Sequence, residues 1–316
     1  MQKAKKRFFS VTAVLLAVLV ALTALLPTAG AAQAATMRSK YTNKSYTHNA
    51  RFNKLEVLNG VDISAWQEKV NWKKIKNDGI DFAILRAGYG KKANQEDAYF
   101  ATNFKNATAA GLPVGIYWYS YAKSVADVEK EARLCLQVLG SRTLDLPVFY
   151  DLEESSQLNK GKAFCTQLVE HFCSIIAAAG HTPGLYMSRS PLLDYIEQET
   201  RGRYALWVAE YGSKTCKYDG DYLMWQYADN GKVAGVNGNT DMNFLYGNKN
   251  SLPGSATLLK SKTYTGKAIT PAPTVTGEDG QPLKADQDYT LTYINNKAVG
   301  MATITAQGLG AYTGRR

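Results

Sequence analysis

Histidine and cysteine are scarce in this chain of 316 residues, which holds three histidines and four cysteines. The histidines have no spacing that metal sites use, so we predict no metal site, and we predict no cofactor. Cys165 and Cys173 fall two turns apart on one predicted helix, which is too far to bridge. We therefore favour four buried free thiols, although an even number of cysteines also permits disulfides.

Four further patterns are missing, and each absence argues against a class of function. The Lys and Arg residues are dispersed without an arginine-rich or aromatic–basic motif, which argues against nucleic-acid binding. No glycine-rich dinucleotide fingerprint and no G-x-S-x-G elbow is present. Beyond residue 34, no apolar run is long enough to cross a bilayer.

The first 34 residues have the order of a secretory signal. Four cationic residues precede an apolar run that ends at Pro27, and the small-residue pattern Ala32-Gln33-Ala34 follows. An uncleaved membrane anchor is the alternative, but the apolar run is short for a span. Removing residues 1–34 lowers the formal net charge from +10 to +6. We expect a secreted, cell-wall-associated protein, because a positive excess suits a polyanionic surface.

From Gly60 onward, short β-rich runs alternate with helical runs that end in glycine. The alternation repeats five times and predicts five strand–helix units around a parallel sheet. Three further strand-like runs follow, separated by loops: YALWVAEYG, YLMWQYAD and NTDMNFLYG. Eight such strands favour an α/β fold, an irregular TIM-like (β/α)5β3 barrel. A doubly wound open sheet is the alternative.

Changes in composition predict four segments after the signal: a tether, a barrel, a linker and a small C-terminal module. Residues 35–58 are polar and basic without a clear period, which predicts a tether. The barrel is predicted over residues 59–250 and a linker over 251–260. Thr-rich alternating runs over residues 261–316 predict a small all-β module, from which we expect a closing strand to be missing.

The run LPVFYDLEE places acidic residues directly after a predicted buried strand. Because side chains alternate along a strand, Asp151 and Glu153 share one face and Leu152 points the other way. In a barrel both carboxyls then lie at the C-terminal mouth, roughly 5–7 Å apart, which is the range that glycosidases use. Repulsion should raise one pKa, and a carboxyl that stays protonated can act as a general acid. Glu154 is predicted to point away into solvent.

Two more acids lie at the ends of predicted strands. If the barrel closes, the first and last strands are neighbours, so Asp62 and Asp241 converge on the same mouth. The simpler interpretation is that each forms a turn or caps a helix. Side chains suited to sugar contact surround this mouth, although core packing would account for about half of the rings. The predicted set is Trp66, Tyr117, Tyr119, Tyr186, Trp207, Trp225 and Gln226, with Tyr227 beside them.

Eight short motifs follow one another between residue 59 and about residue 250. They are GVDISAWQ (60–67), IDFAILRAGYG (80–90), GLPVGIYWYSYA (111–122), LPVFYDLEE (146–154), GLYMS (184–188), LWVAEYG (206–212), MWQYAD (224–229) and VNGNTDMNFLYG (236–247). In this order they resemble the family 25 glycoside hydrolases, which are lysozymes or N-acetylmuramidases. One motif alone would be weak support, but the ordered set is specific.

The resemblance implies hydrolysis, with retention, of the β-1,4 bond between N-acetylmuramic acid and N-acetylglucosamine in peptidoglycan. The acid/base glutamate of the family matches Glu153, and the aspartate of its D-x-E pair matches Asp151. Two other active-site aspartates match Asp62 and Asp241. Where the family often has histidine after the tyrosine of its third strand, this chain has Trp118, which we expect to alter sugar contacts. The C-terminal residues resemble bacterial Ig-like repeats.

The mechanism that the resemblance implies leaves one choice open. Glu153 protonates the leaving oxygen, while Asp151 either attacks the anomeric carbon or, as we favour, stabilises the substrate's 2-acetamido group as that group attacks. A wall-binding protein without catalysis is the alternative function, and a chitin-directed enzyme is a third. The expected partner is the glycan strand of peptidoglycan, with no nucleic acid, no obligatory protein partner and a monomeric state.

Overall fold

The computed structural model describes residues 35–53, 55–247, 266–275, 282–294, 296–297 and 303–308. The predicted signal and the predicted linker lie outside the described residues. Within the described residues, no helix has the length and apolar character needed to cross a membrane.

The described chain begins with a small antiparallel hairpin, β1 (Thr36–Arg38) and β2 (Ser45–Thr47), and continues into eight strands that close into a barrel. The eight strands are β3 (Glu56–Ile63), β4 (Phe82–Tyr89), β5 (Val114–Tyr119), β6 (Val148–Asp151), β7 (Pro183–Ser188), β8 (Ala205–Ala209), β9 (Met224–Gly231) and β10 (Thr240–Gly247). Neighbours from β3 to β9 run parallel, and β10 closes the barrel antiparallel to both β9 and β3. The mixed α/β class and the closed barrel are confirmed, and the open-sheet alternative is wrong.

Within residues 55–247, helices connect the strands from β3 to β8 only. They are α1 (Trp72–Asn77), α2 (Phe100–Ala109), α3 (Val125–Leu139), α4 (Ser155–Leu158), α5 (Lys162–Ala178), α6 (Arg189–Tyr195) and α7 (Gln198–Arg203). The longer helices follow the sequence signals: α3 begins after Ser124, whose side chain accepts a hydrogen bond from the Asp127 amide, and ends at Gly140 with φ +58°. The outward faces of β9 and β10 therefore need another cover.

The segment predicted as a tether supplies that cover, so the tether prediction for residues 35–58 is wrong. Tyr46 of β2 is buried and packs against Trp225, Tyr227 and Phe244 of the last two strands. Backbone hydrogen bonds tie the same segment to the barrel, for example from the Thr47 amide to the Lys214 carbonyl at 2.7 Å. Isolated aromatic residues in a polar stretch were enough to bury it, because the barrel offers a large apolar surface there.

Large side chains fill the barrel interior below its mouth. The rings of Phe82 and Phe149 fit because Gly60 and Gly184 face them; a Cβ on either glycine would lie within 2.5 Å of the opposing ring. The interior cluster comprises Phe82, Ile84, Phe149, Tyr186, Trp207, Ala209, Met224 and Leu245. The barrel interior is therefore filled by side chains, which form an apolar floor beneath its mouth.

The four cysteines are free and buried, as predicted, and Cys165 and Cys173 both lie on α5. Near the C-terminus, β11 (Tyr289–Ile294) and β12 (Thr303–Gly308) form an antiparallel pair with a small core of Val275, Tyr289 and Ala306. The likeness of this region to Ig-like repeats stays a prediction.

Candidate active site

Four acidic side chains meet at one end of the barrel. Asp62 is the next-to-last residue of β3, and Asp151 is the last residue of β6. Because β10 runs antiparallel to β3, Asp241 near its start pairs in register with Asp62. Glu153 follows β6 by two residues, and its charge interacts with those of the other three acids. The structure thus brings all four predicted acids together at the barrel mouth.

Asp62 and Asp241 form a hydrogen-bonded carboxyl pair. Asp62 is buried, and its Oδ2 atom accepts hydrogen bonds from Gln226 Nε2 and Asn243 Nδ2, both at 2.8 Å. Burial raises the pKa of Asp62, while these donors act in the opposite direction. Burial and the neighbouring Asp62 charge raise the pKa of Asp241 to about 9. We conclude that the pair shares one proton at neutral pH.

Asp241→Asn is expected to remove a pH dependence of stability. Because the pKa of Asp241 is about 9 in the folded state and ordinary in the unfolded state, the contribution of this group to wild-type stability falls as pH rises from about 4 to 9. The variant keeps an N–H donor towards Asp62 but has no proton to lose. Between pH 5 and 8, its free energy of unfolding should rise relative to wild type by about 1 kcal/mol per pH unit, measured by urea titration.

The matched control is Asp194→Asn, which neutralises an exposed aspartate on α6. Its difference from wild type should stay constant with pH. A constant difference for Asp241→Asn as well would show that the carboxyl pair does not hold a proton.

Asp151 is buried, and its Oδ1 atom has no hydrogen-bond partner in the described structure. Burial, the charge of Glu153 and the charge of Asp62 together raise its pKa well above the ordinary aspartate value, while Arg86 acts in the opposite direction. A buried acceptor without a donor is costly. A ligand that presents an N–H group to Oδ1 would therefore gain a hydrogen bond and also stabilise the ionised carboxylate.

Glu153 is open to solvent at the mouth. Its pKa is nevertheless raised, first because nearby protein atoms solvate its charge poorly, and then because Glu154 and Asp62 repel it. Water reaches the carboxyl from the open side only, so the neutral form is favoured more than in bulk water. Glu153 is therefore the most exposed member of the acid group, and its raised pKa gives it a reason to hold a proton.

Glu154 does not point away into solvent, which corrects the sequence prediction. It is half-buried, and its Oε1 atom accepts a hydrogen bond from the Tyr119 hydroxyl at 2.7 Å. Strand alternation fails here because β6 ends at Asp151, so the next residues turn into α4. Leu152 does point outward, into the core between barrel and helices, as predicted.

Three of the predicted sugar-contact residues face the acids. Tyr117 and Tyr119 lie on β5, and Tyr186 lies on β7 in register with Asp151. Burial and the charge of Asp62 raise the pKa of Tyr117 well above the ordinary value, so its hydroxyl stays neutral and can donate. Tyr186 donates its hydroxyl hydrogen to Gln226 Oε1 at 2.7 Å.

Trp207 and Gln226 lie below the mouth and are almost fully buried. Trp207 Nε1 donates to Asn243 Oδ1 at 2.8 Å, and the amide of Gln226 is already used by Asp62 and by the hydroxyls of Tyr186 and Tyr211. Neither side chain is free to contact a sugar directly, so that prediction is corrected for both. Gln226 holds Asp62 directly, and Trp207 holds it through Asn243.

Three tryptophans differ in their positions. Trp225 points out of the barrel towards β2 and donates its Nε1 hydrogen to the Glu210 carbonyl, so its predicted sugar contact is wrong. Trp118 is also buried outside the barrel, donating to the Gly90 carbonyl, so the expected change in sugar contacts is wrong too. Trp66 lies on the turn directly after β3 and is 83% exposed, so its ring is available at the mouth.

Arg86 is a mouth residue that the sequence analysis missed. It lies on β4 in register with Tyr117, and its Nε donates to Asp97 Oδ2 at 2.8 Å. Asp97 is buried and also accepts from the Ala65 amide at 2.9 Å, so it fixes both the guanidinium and the turn that carries Trp66. A charged residue inside an otherwise apolar strand was the available signal.

Two exposed tyrosines also lie near the mouth. Tyr121 follows β5 and is 44% exposed, and Tyr211 follows β8 and is 43% exposed. The sequence analysis predicted neither.

Across the described residues, no three His, Cys, Asp or Glu side chains are grouped so that they could hold a metal ion.

The family model for glycosyl hydrolases family 25 matches residues 61–236, more than half of the chain. The chain therefore belongs to this family. The "Uncharacterized protein YegX" of Escherichia coli O157:H7 is 31% identical over 206 residues, which are 62% of this chain and 72% of that protein. The "Autolytic lysozyme" of Clostridium acetobutylicum is 25% identical over 185 residues, and these cover 58% of this chain but only 55% of that enzyme.

Solved structures agree with the barrel. The crystal structure of the CTP1L endolysin matches with a TM-score of 0.54 and 27% identity over 60% of this chain and 66% of that one. A family 25 glycosyl hydrolase from Bacillus anthracis matches with a TM-score of 0.54 and 22% identity over 62% of this chain and 92% of that one. The second match bears on the fold alone.

Proposed function

We propose that this protein is a secreted lysozyme that hydrolyses the β-1,4 bond between N-acetylmuramic acid and N-acetylglucosamine in peptidoglycan. Family membership and relatives named as a lysozyme and an endolysin support a glycoside hydrolase that acts on peptidoglycan. The observation that carries the proposal is the group of four acids at one barrel mouth, in which the solvent-accessible Glu153 has a raised pKa.

In the first step, protonated Glu153 gives its proton to the glycosidic oxygen as the bond from that oxygen to the anomeric carbon breaks. The carbonyl oxygen of the substrate's 2-acetamido group attacks the anomeric carbon and forms a cyclic oxazolinium ion. Glu153, now ionised, then takes a proton from water, whose oxygen attacks the same carbon and opens the ring. Two displacements at one carbon give net retention.

Asp151 stabilises the acetamido group during this attack. A turn of the side chain that exposes its unpartnered Oδ1 atom would let Asp151 accept the substrate's amide N–H, which becomes more acidic as the oxazolinium ion forms. Before substrate binds, burial disfavours the charged form of Asp151 and the cation of Arg86 favours it. The substrate N–H adds a second interaction that favours the charged form. Substrate binding is therefore expected to ionise Asp151 and leave the proton on Glu153.

The Asp62–Asp241 pair supports these steps without a direct part in bond cleavage. Its single negative charge, held by Gln226 and Asn243, adds to the field that keeps Glu153 protonated. The same negative field stabilises the positive charge that develops at the anomeric carbon.

A binding protein that holds wall glycans without cutting them is the second candidate, and the exposed rings of Trp66, Tyr121 and Tyr211 would suit it. A turbidity assay on purified cell walls separates the two functions. The hydrolase clears the suspension and releases soluble reducing sugars. A binder pellets with the walls and leaves turbidity unchanged, and that result would refute the proposal.

A further inference from the structure

Glu154 lies next to the proposed general acid and is held in place at two points. Its carbonyl oxygen accepts the amide hydrogens of Gln157 and Leu158 at 2.8 and 3.1 Å, where α4 begins. Its side chain is held by the Tyr119 hydroxyl at 2.7 Å. The carboxylate therefore has a defined position beside Glu153, unlike a free surface glutamate.

A buried polar network lies behind the hydrogen bond between Tyr119 and Glu154. Gln157 Nε2 donates to Ser120 Oγ at 2.8 Å and to the Ala122 carbonyl at 3.1 Å. Ser120 in turn donates to the buried Glu131 at 2.8 Å, and its amide donates to the Asp151 carbonyl at 2.9 Å. Because the network joins β5, β6 and α4, the positions of Tyr119 and Glu154 relative to the acids are fixed.

No Lys or Arg of the described residues forms an ion pair with Glu154. Its negative charge is therefore not neutralised locally, and it acts directly on the neighbouring carboxyl. The groups that face Glu153 or Glu154 from the surrounding elements are acids and tyrosines, namely Asp62, Asp151, Asp241, Tyr119, Tyr121, Tyr186 and Tyr211. Arg86 is the cation among these surroundings, and its charge acts on Asp151 and on Tyr121.

We propose that Glu154 is a positioning residue whose fixed negative charge keeps Glu153 protonated over a wider pH range, with Tyr119 holding that charge in place. The inference rests on the proposed function, because Glu153 must be the proton donor for the effect to reach catalysis. Like charges disfavour ionisation of each other, and the raised pKa of Glu153 agrees with this. Burial is the largest cause of the raised pKa of Glu153, and among the charges that act on this carboxyl that of Glu154 comes first.

The test compares kcat and KM across pH for wild type, Glu154→Gln and Glu154→Asp on solubilised peptidoglycan. Gln keeps an oxygen that accepts from Tyr119 but loses the charge, whereas Asp keeps the charge but shortens the reach. We expect the alkaline limb of the kcat profile to move to lower pH in Glu154→Gln, with kcat about threefold to tenfold lower near pH 8 and unchanged near pH 5. Glu154→Asp should retain most of the wild-type limb, and KM should change little in either variant.

Two outcomes would overturn the inference. One is a Glu154→Gln profile that matches wild type. The other is a uniform loss of kcat at all pH values, greater in Glu154→Asp than in Glu154→Gln, which would mean that Glu154 only supports Tyr119. Glu199→Gln removes an exposed carboxylate that pairs with Arg203 in the first turn of α7, and as a control for loss of one surface charge it should leave the profile unchanged.

A second readout separates this inference from the proposed function. The carboxyl ¹³C signal of Glu153 should titrate at lower pH in Glu154→Gln than in wild type, whether or not the protein cuts peptidoglycan. Absence of cleavage by wild type would refute the function alone. An unmoved Glu153 titration would refute the role of Glu154 alone.

Discussion

Glu153→Gln is expected to lower kcat for peptidoglycan hydrolysis by about 10²–10⁴-fold, because the leaving oxygen then receives no proton. The side chain is solvent-accessible and the substitution is isosteric, so the fold should survive. The measurement is the initial rate of wall clearing, together with a circular dichroism melting curve for each variant. The control is Glu199→Gln, which neutralises an exposed glutamate on α7, the helix that precedes β8.

The loss should depend on the leaving group. A synthetic glycoside that releases a phenolate of low pKa needs little proton donation, so Glu153→Gln should cleave its glycosidic bond with a much smaller loss. An equal loss on both substrates, or wall clearing at the wild-type rate, would remove Glu153 from the role of proton donor.

Asp151→Asn is expected to lower kcat by about 10²–10³-fold with little change in KM, because it removes stabilisation that is strongest in the transition state. Asn has nearly the same shape as Asp, so the buried packing is preserved, but its amide cannot carry the negative charge. The measurement is a steady-state comparison on a soluble glycan chain. If Asp151 acts through the acetamido group, wild type should show a similar loss on a glycan whose 2-acetamido groups have been converted to amines.

Trapping with a 2-fluoro sugar distinguishes the two roles of Asp151. Substrate assistance predicts that no sugar becomes attached to the protein, since fluorine replaces the acetamido group that would attack the anomeric carbon. A stable adduct on Asp151, found by mass spectrometry of peptides, would contradict substrate assistance and identify a direct nucleophile.

The sequence was sufficient for the closed barrel and for the meeting of the four acids. Strand alternation correctly directed Leu152 outward, and closure of the barrel explains why Asp62 and Asp241 pair in register. Both arguments work because a parallel strand has one buried interior face and a defined C-terminal end.

The sequence was insufficient where both faces of an element are apolar or where a strand has ended. Trp225 was placed on the wrong face because β9 is buried on both sides, and its outward cover comes from the distant hairpin with Tyr46. Glu154 was placed in solvent because alternation no longer applies at residue 154, where the chain turns into α4. Tyr46 gave no signal of its own, since one aromatic residue in a polar stretch has no period.

Mass spectrometry of the fragments released from purified peptidoglycan tests the central claim most directly. Reduction with borodeuteride labels each new reducing end, and the mechanism predicts that the label appears on N-acetylmuramic acid. Label on N-acetylglucosamine, or no new reducing ends at all, would contradict the proposed cleavage.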